Sequence, residues 1–379
     1  MFSNIKKSRL SKILLSLLLL STILLLAGCA AAPTRGWSGP AVANNVLYVG
    51  TIGGEVIALD VSGDQPSQIW SETLESPGTG GFLACSARLS TPMSTYGTPA
   101  IGEDKVYVGG YDGYIYSFTV DDGYMRKFDT GSAIVGSPIV ADETVFVGNS
   151  DGKFYALSLD LSPEPKWVFK TGDKIWATPA VDNGVVYIGS SDHKLYAIDI
   201  ESGREIWHFK TEGAILSTPL VVGGTVYVGS DDNNFYAIDA GTGEEKWAFA
   251  AGNWFWTEAL FYNGEIWVGC LDHKVYAIDA QNPADFRVVL ETEGRVRTPP
   301  LLIDNLNLIL IGSEDGNVYA LDPEEKSSQV LYSFEAPVLA PLYADQEKDI
   351  IYVHAQNSSH TLYAIEVETG DKMWDYTTE

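Results

Sequence analysis

The sequence predicts an all-β fold, an eight-bladed β-propeller of four-stranded antiparallel blades. Three observations support this prediction. The 379 residues include 14 Phe, 10 Trp, 20 Tyr and 37 Gly, a composition that favours short strands and tight turns over helix bundles. The chain repeats itself about every 40 residues. Each repeat holds four short apolar runs separated by Gly, Asp and Asn, which is typical of a propeller blade.

The repeat is clearest in two consecutive units, residues 177–211 and 217–247. Both contain, in the same order, a Thr-Pro pair, a Val-Tyr run ending in Gly-Ser, a Tyr-Ala-Ile-Asp run, a glycine and a tryptophan. We align the units on the proline of the Thr-Pro pair. The aligned residues are Pro40, Pro99, Pro138, Pro179, Pro219, Glu258, Pro299 and Pro341. Eight units therefore fill residues 36–379, with one insertion at about 73–96.

The apolar runs and the turns between them both fit a blade. Consecutive residues are apolar in runs such as Val185-Val186-Tyr187-Ile188, as expected for a sheet whose two faces are covered by neighbouring blades. Turns such as Ser150-Asp151-Gly152 suit a tight hairpin between the second and third strands.

The N-terminal residues 1–28 are predicted to be a lipoprotein signal peptide. Four basic residues, at positions 6, 7, 9 and 12, precede the largely apolar stretch 13–26, which is too short for a comfortable membrane span. The stretch ends in Leu26-Ala27-Gly28-Cys29, which resembles the lipobox of bacterial lipoproteins. The resemblance implies diacylation of Cys29, a lipidated tether over 29–35 and an extracytoplasmic location. The membrane would be the outer one where the cell has one, and otherwise the cell membrane. The alternative is an ordinary secretory signal.

Charge and cysteine content exclude several function classes. The chain has 24 Lys and Arg against 50 Asp and Glu, a net charge of −26, and so acidic a body repels the phosphate backbone of nucleic acids. Its three cysteines are too few for a disulfide scaffold. We therefore expect no nucleic-acid partner, and we expect Cys85 and Cys270 to be free thiols.

The end of each unit carries a family resemblance. It resembles the tryptophan-docking motif of pyrroloquinoline-quinone (PQQ) repeat propellers, in which Ala, Asp, Gly and Trp recur at fixed spacing. The matching residues are Ala197, Asp199, Gly203 and Trp207, then Ala237, Asp239, Gly243 and Trp247, then Ala364, Glu366, Gly370 and Trp374. The resemblance implies that Trp207, Trp247 and Trp374 dock on neighbouring blades, and that the small alanine makes room for them. The blades ending near Lys127, Arg287 and Val330 lack the tryptophan.

Two subclasses of this family differ in function. PQQ dehydrogenases bind the quinone and calcium in the central funnel against an adjacent Cys-Cys pair, whereas all three cysteines here are isolated. The other subclass comprises non-catalytic lipoproteins like the outer-membrane-protein assembly factor BamB. The resemblance thus implies a protein-binding scaffold in cell-envelope protein assembly, with no enzyme activity and no PQQ or calcium. The alternative is a sensor module that binds a saccharide, peptide or small molecule, and a PQQ-dependent dehydrogenase is the weakest hypothesis.

The candidate binding surface is one rim of the propeller. The connections between blades share that rim with the turns between the second and third strands, so residues just before the aligned prolines should surround the channel mouth. Those we single out are Trp176, Trp256 and Arg297, with Trp254 and Arg295 slightly further out. Aromatic residues and arginine are favoured at binding hot spots. The alternative is that Trp176 and Trp256 plug the channel.

Two histidines and the insertion belong to the same predicted rim. His193 and His273 occupy equivalent turns, Ser191-Asp192-His193-Lys194 and Leu271-Asp272-His273-Lys274. We interpret both as exposed turn residues, and a shared metal would require that the fold bring them together. The insertion at about 73–96 is rich in Gly, Ser and Thr, and such loops on rigid scaffolds commonly carry binding.

Overall fold

A computed structural model describes residues 38–51, 53–74, 94–355 and 361–377. In these residues the chain forms eight four-stranded antiparallel sheets, each built from four consecutive strands. The all-β eight-bladed propeller is thereby confirmed. The first strands of neighbouring blades contact one another. The first strand of each blade is therefore innermost and the fourth outermost. The strands of a blade are called A to D in that order.

The first four blades contain strands β1 to β16. They are β1 (Ala41–Ala43), β2 (Val46–Gly50), β3 (Glu55–Asp60), β4 (Ser67–Thr73), β5 (Ala100–Ile101), β6 (Lys105–Gly109), β7 (Tyr114–Thr119), β8 (Met125–Asp129), β9 (Ile139–Ala141), β10 (Thr144–Gly148), β11 (Lys153–Ser158), β12 (Trp167–Lys170), β13 (Ala180–Asp182), β14 (Val185–Ser190), β15 (Lys194–Asp199) and β16 (Glu205–Lys210).

The last four blades contain strands β17 to β32, and one 3-10 turn, Asp304–Leu306, precedes β26. The strands are β17 (Leu220–Val222), β18 (Thr225–Gly229), β19 (Asn234–Asp239), β20 (Glu245–Ala250), β21 (Leu260–Tyr262), β22 (Glu265–Gly269), β23 (Lys274–Asp279), β24 (Phe286–Glu291), β25 (Leu301–Ile303), β26 (Leu308–Gly312), β27 (Asn317–Asp322), β28 (Ser327–Ser333), β29 (Tyr343–Asp345), β30 (Ile350–Ala355), β31 (Thr361–Glu366) and β32 (Lys372–Thr377).

The hydrophobic core lies between the blades. On β14 of blade 4, Val186 and Ile188 pack against Phe154 of blade 3. The intervening Tyr187 packs instead against Val226 of blade 5. Alternate side chains thus face opposite neighbours, which explains why consecutive residues of strands B and C are apolar.

The ring closes where blade 8 packs against blade 1. Both blades are complete in themselves, so closure depends on side-chain contacts rather than on a shared sheet. The Tyr343 hydroxyl donates to the Val42 carbonyl at 2.9 Å, and Lys348 Nζ donates to the Val61 carbonyl at 3.2 Å. Trp374 is buried in an apolar cluster that includes Leu47 of blade 1.

The connections between blades and the B–C turns lie on the same rim, as predicted. In blades 4 to 7 the B–C turn donates a backbone N–H to the connection that leads into its own blade. These bonds join Ser191 to Lys174 (2.8 Å), Asp231 to Ala214 (3.0 Å), Leu271 to Trp254 (3.0 Å) and Glu314 to Arg295 (2.9 Å). We call this surface the D–A rim.

The strand pairing corrects the alignment of the units in three blades. Leu220 pairs with Tyr227 at the start of strand A in blade 5, and Leu260 pairs with Trp267 at the same place in blade 6. The residue equivalent to Pro219 is therefore Ala259, and Glu258 stands one position earlier. In the same way Pro300 and Leu342, rather than Pro299 and Pro341, match Pro219. Proline occurs at two adjacent positions of this segment, so aligning on proline shifted these blades by one residue.

Several sequence predictions concern residues that the structure does not describe. They are the signal peptide 1–28, the lipidation site Cys29, the tether 29–35, Cys85 and most of the insertion at 73–96. All of these stay predictions. The described part of the chain has no helix that is long and apolar enough to cross a membrane.

Candidate functional site

The D–A rim opens into a central cavity of about 640 Å³. Its entrance is formed by one residue from each of seven blade connections, which we call the mouth ring. The ring consists of Tyr96, Val135, Trp176, Leu216, Trp256, Arg297 and Leu339. Trp37, at the equivalent position of blade 1, lies outside the described residues. The structure therefore brings three of the predicted rim residues, Trp176, Trp256 and Arg297, to the cavity itself.

Alternation along the connecting segment explains why these side chains face the cavity. The residue before each of them is buried between two blades, as for Phe255 and Val296, which are 1% and 0% exposed. Each buried residue sits over a strand-B glycine of the preceding blade. A Cβ on Gly229 would lie 2.3 Å from Phe255, and one on Gly269 would lie 2.4 Å from Val296. Since that side chain is directed between the blades, the next one is directed into the channel.

A second ring lies two residues further along the chain, and we call it the inner ring. It consists of Gly39, Thr98, Ser137, Thr178, Thr218, Glu258, Pro299 and Pro341, and all but Gly39 line the cavity. Hydroxyls of this ring join neighbouring blades. The Thr98 N–H donates to Ser137 Oγ at 2.8 Å, and the Ser137 N–H donates to Thr178 Oγ1 at 3.1 Å.

Glu258 is the one charged residue of the inner ring. Within the described residues its carboxylate has no hydrogen bond or ion pair. Protein surrounds the carboxyl and raises the pKa of Glu258 to about 7 by displacing bulk water. The side chain is nevertheless open to solvent inside the channel, and this hydration limits the shift. Glu258 was not predicted as a site residue from the sequence, because alignment on proline places it at the proline position. The sequence does contain a sign of it, because Glu258 is a carboxylate at a position that holds Gly, Ser, Thr or Pro in the other seven blades.

Trp256 and Arg297 form a stacked pair at the mouth. The guanidinium carbon of Arg297 lies 5.1 Å from the centre of the Trp256 ring, and Nε of the same guanidinium donates to the carboxylate of Glu314. A guanidinium has five N–H donors, so the bond to Glu314 leaves others available to a ligand. Glu314 comes from the B–C turn of blade 7 and was not identified from the sequence, because the contact depends on the shared rim.

Trp176 is fixed by contacts with polar residues of the D–A rim. Its indole N–H donates to Ser150 Oγ at 3.0 Å, and Lys174 Nζ lies 5.0 Å from its ring centre. Trp176 and Trp256 both line the cavity, with Leu216 between them in the mouth ring. They border a space of about 640 Å³ rather than filling it.

Trp254 and Arg295 lie on the D–A rim outside the cavity. The Trp254 side chain is 41% exposed, and Arg295 is exposed as well. Their backbone carbonyls accept the bonds from the B–C turns of blades 6 and 7. A binding role for the two side chains stays a prediction.

His193 and His273 are exposed residues of the B–C turns on this rim. Their φ angles are 69° and 73°, and the equivalent positions hold Gly152 and Asn233 with φ of 74° and 73°. The turn thus requires the left-handed conformation, which histidine tolerates better than most residues. The two turns belong to blades 4 and 6. Within the described residues, no group of three or more His, Cys, Asp and Glu could hold a metal ion.

The predicted docking tryptophans contact neighbouring blades. The indole N–H groups of Trp207 and Trp247 donate to the carbonyls of Ala240 and Ala280 in the next blade, both at 3.0 Å. The two rings are half-buried, less than full burial between blades would give, because strand D is the outermost strand. Trp374 is buried at 5% exposure at the seam between blade 8 and blade 1.

The described cavity lining is a poor match for the anionic PQQ, and within the described residues no cluster of three or more His, Cys, Asp or Glu is placed to hold the calcium that accompanies it. PQQ is a tricarboxylate, and the charged residues that line the cavity are Glu258, Glu314 and Arg297, of which the arginine is already paired. An anionic cofactor would face an uncompensated carboxylate, and burial of like charges together is strongly unfavourable. The expectation that the chain binds neither PQQ nor calcium stays a prediction.

Comparisons with known proteins agree on the fold. A family model described as outer membrane protein assembly factor BamB matches residues 30–160 and 158–286. The crystal structure of BamB from Moraxella catarrhalis superposes with a TM-score of 0.65 at 17% identity, covering 87% of this chain and 93% of that one. The computationally designed Ika8 protein superposes with a TM-score of 0.67 at 16% identity, covering 85% and 93%. No curated protein sequence matches significantly.

Proposed function

The chain belongs to the family of the outer membrane protein assembly factor BamB, and we propose that it is a non-catalytic protein-binding scaffold in cell-envelope protein assembly. The observation that carries this proposal is the cluster of Trp256, Arg297 and Glu314 at the mouth of the D–A rim. An arginine stacked on tryptophan and beside an open cavity is the kind of group that dominates binding energy at protein interfaces. The acidic body, at −26 overall, favours a partner with a basic surface.

The proposed location follows from the N-terminal sequence. We expect Cys29 to be diacylated and to anchor the propeller outside the cytoplasm, because the basic residues, apolar stretch and Leu26-Ala27-Gly28-Cys29 occur in the order that lipoprotein export requires. Mass spectrometry of the mature N-terminus tests this expectation. An unmodified mature terminus at another residue would contradict it.

A second candidate function is a sensor module that binds a saccharide, peptide or small molecule. The specific observation in its favour is the cavity of about 640 Å³, which lies within the range of about 300–1,000 Å³ common for ligand sites. A scaffold would use the outer surface of the mouth ring, whereas a sensor would use the inner ring. The two functions therefore predict sensitivity to different substitutions.

The scaffold function is tested by cross-linking the full-length lipoprotein in its own cells, purifying it in detergent and identifying bound proteins by mass spectrometry. Arg297→Ala and Trp256→Ala should each weaken capture of the partner, by more than about 1 kcal/mol or roughly fivefold for a hot spot. Arg204→Ala is the matched control, because Arg204 is an exposed arginine of a C–D turn on the opposite rim. It should leave capture unchanged.

Enrichment of a β-barrel assembly component with the wild type would support the scaffold. Equal capture by the wild type, Arg297→Ala and Trp256→Ala would exclude the D–A rim as the binding surface. Melting temperatures of the purified variants separate lost binding from lost fold.

A further inference from the structure

The inner ring contains a charge that the propeller fold does not explain. The other members of the ring are Gly, Ser, Thr and Pro, and the hydroxyls of Ser137 and Thr178 accept backbone N–H groups from the preceding blade. Glu258 makes no such bond within the described residues, and its side chain is open to the channel. A carboxylate among protein walls is unfavourable unless a partner compensates it. The part of the chain that the structure describes supplies no partner, so an external cation is the natural one.

The charges around the cavity leave Glu258 uncompensated. The other charged residues in the lining are Arg297 of blade 7 and Glu314 of the same blade, and they pair with each other. The neighbouring inner-ring members, Thr218 and Pro299, are neutral, and the remaining titratable side chain of the lining is Tyr96 of blade 2, across the ring. The described lining of the channel therefore contributes one unpaired negative charge, on the inner ring.

We propose that Glu258 anchors a binding site for an alkylammonium group in the channel mouth. The cation enters past Trp176 and Trp256, whose aromatic rings favour both a cation and the methylene groups that carry it. The ammonium pairs with the Glu258 carboxylate, and the inner-ring hydroxyls are acceptors for its remaining N–H groups. The cavity of about 640 Å³ has room for such a ligand, and the acidic body, at −26 overall, raises the local concentration of cations.

The ammonium has two sources with the same chemistry: a free aliphatic amine, or a lysine side chain presented by a peptide. The site does not require the scaffold function, because the purified chain alone should bind either source. Anionic ligands such as phosphates and carboxylates are excluded by the same charge that attracts the amine.

Binding should depend on pH in a defined direction. Burial raises the pKa of Glu258 towards about 7, and hydration in the channel limits this rise, so the ionised fraction of the carboxylate increases between pH 6 and pH 8. An alkylammonium stays charged throughout this range, since its pKa is about 10. The affinity should therefore rise from pH 6 to pH 8, by at most about tenfold, and binding at pH 7 should release a fraction of a proton.

The test is isothermal titration calorimetry on the full-length chain in detergent at pH 6, 7 and 8. The probes are n-pentylamine and the capped peptide N-acetyl-Gly-Lys-Gly-amide, whose only charge is its lysine, and n-pentanol serves as the neutral analogue. Two buffers of different ionisation enthalpy report the released proton. We expect at least one charged probe to bind once per chain and n-pentanol to bind at least tenfold more weakly.

The variant Glu258→Gln keeps the size of the side chain and removes its charge. It should weaken binding of the charged probe at pH 8 about tenfold or more and abolish the pH dependence. Glu212→Gln is the matched control, since Glu212 is an exposed carboxylate on the same rim, and it should bind as the wild type does. If Glu258→Gln were to misfold, Glu258→Thr would replace it, because threonine occupies this position in blades 2, 4 and 5.

Binding of the amine alone identifies a free amine as the ligand, and binding of the peptide alone identifies a presented lysine. Absence of saturable binding by either probe at millimolar concentrations would overturn the proposal. So would equal affinity in the wild type and Glu258→Gln. Neither result bears on the scaffold function, which is measured by capture of a protein partner at Arg297 and Trp256.

Discussion

The seams between blades and the mouth ring differ in how closely they follow the repeat. At three successive seams, an indole N–H donates to a backbone carbonyl of the next blade at 2.9 to 3.0 Å. The donors are Trp167, Trp207 and Trp247, and the acceptors are Ile200, Ala240 and Ala280. The mouth ring instead holds five residue types at seven equivalent positions.

The difference shows which positions serve the fold and which are free to serve binding. A seam must satisfy the same packing between every pair of blades, so one arrangement recurs. The mouth ring faces an open cavity and contributes little to blade packing, so its residues are not held to one type. Departures from the repeat at the cavity, namely Trp256, Arg297 and Glu258, are therefore the best candidates for function.

Truncation of a seam tryptophan should have the largest effect on stability. Trp247→Ala removes the bond to Ala280 and the contact with Tyr227, whose ring centre lies 5.8 Å away. We expect a loss of about 3 kcal/mol in the free energy of unfolding, at the low end for such truncations because the ring is half-buried. Urea denaturation measures it. Ile206→Ala is the control, since Ile206 is a strand-D residue that is 50% exposed.

A change below about 1 kcal/mol in Trp247→Ala would mean that the seams do not depend on these indoles. The contrast between seam and mouth would then lose its structural basis.

Blade 6 tests the comparison at a seam that departs from the repeat. Arg287 stands opposite Ala277, where Trp247 stands opposite Ala237 in blade 5. The guanidinium carbon of Arg287 lies 5.5 Å from the Trp267 ring centre, and the Arg287 guanidinium forms an ion pair with Glu265. The arginine thus covers an aromatic ring, as the tryptophan does elsewhere.

Arg287→Ala should lower the free energy of unfolding by about 1–2 kcal/mol, because both the stacking and the paired charge are lost. Thermal or urea unfolding measures this change. Arg126→Ala is the matched control, since Arg126 is 53% exposed and lies 3.9 Å from its acidic neighbour. Equal stability of the two variants would show that Arg287 is a surface arginine and not a seam residue.

Most of the fold could be predicted from the sequence because each blade repeats the same physical solution. The motif from Ala197 to Trp207 predicted the seam, and the position just before the aligned prolines predicted that Trp176, Trp256 and Arg297 surround the mouth. The motif did not predict how far Trp207 and Trp247 are exposed, because the distance of strand D from the core is a property of the assembled ring.

The charged part of the site could not be predicted in the same way. Glu258 was assigned to the proline position, because proline occupies either of two adjacent positions in different blades and only strand pairing separates them. Glu314 meets Arg297 because a B–C turn and a blade connection share one rim, and the sequence contains no local sign of that contact. Pairings between distant segments require the three-dimensional register.

Neutralising the channel carboxylate should have the smallest effect on stability, and one of opposite sign to the seam substitutions. The pKa of Glu258 is raised from 4.5 to about 7 in the folded chain, so the folded state holds its proton over a pH range in which the unfolded state has lost it. The contribution of Glu258 to the free energy of unfolding is therefore fully present below pH 4.5 and is lost as the pH rises through about 7.

The free energy of unfolding of Glu258→Gln should match that of the wild type at pH 4 and exceed it at pH 8. We expect a gain below about 1 kcal/mol, because solvent in the channel screens much of the cost. Urea midpoints at the two pH values, without added amine, measure it. A variant that is less stable than the wild type at pH 8 would mean that Glu258 bonds to the propeller, and the contrast between a stabilising seam and a ligand-ready channel would fail at this residue.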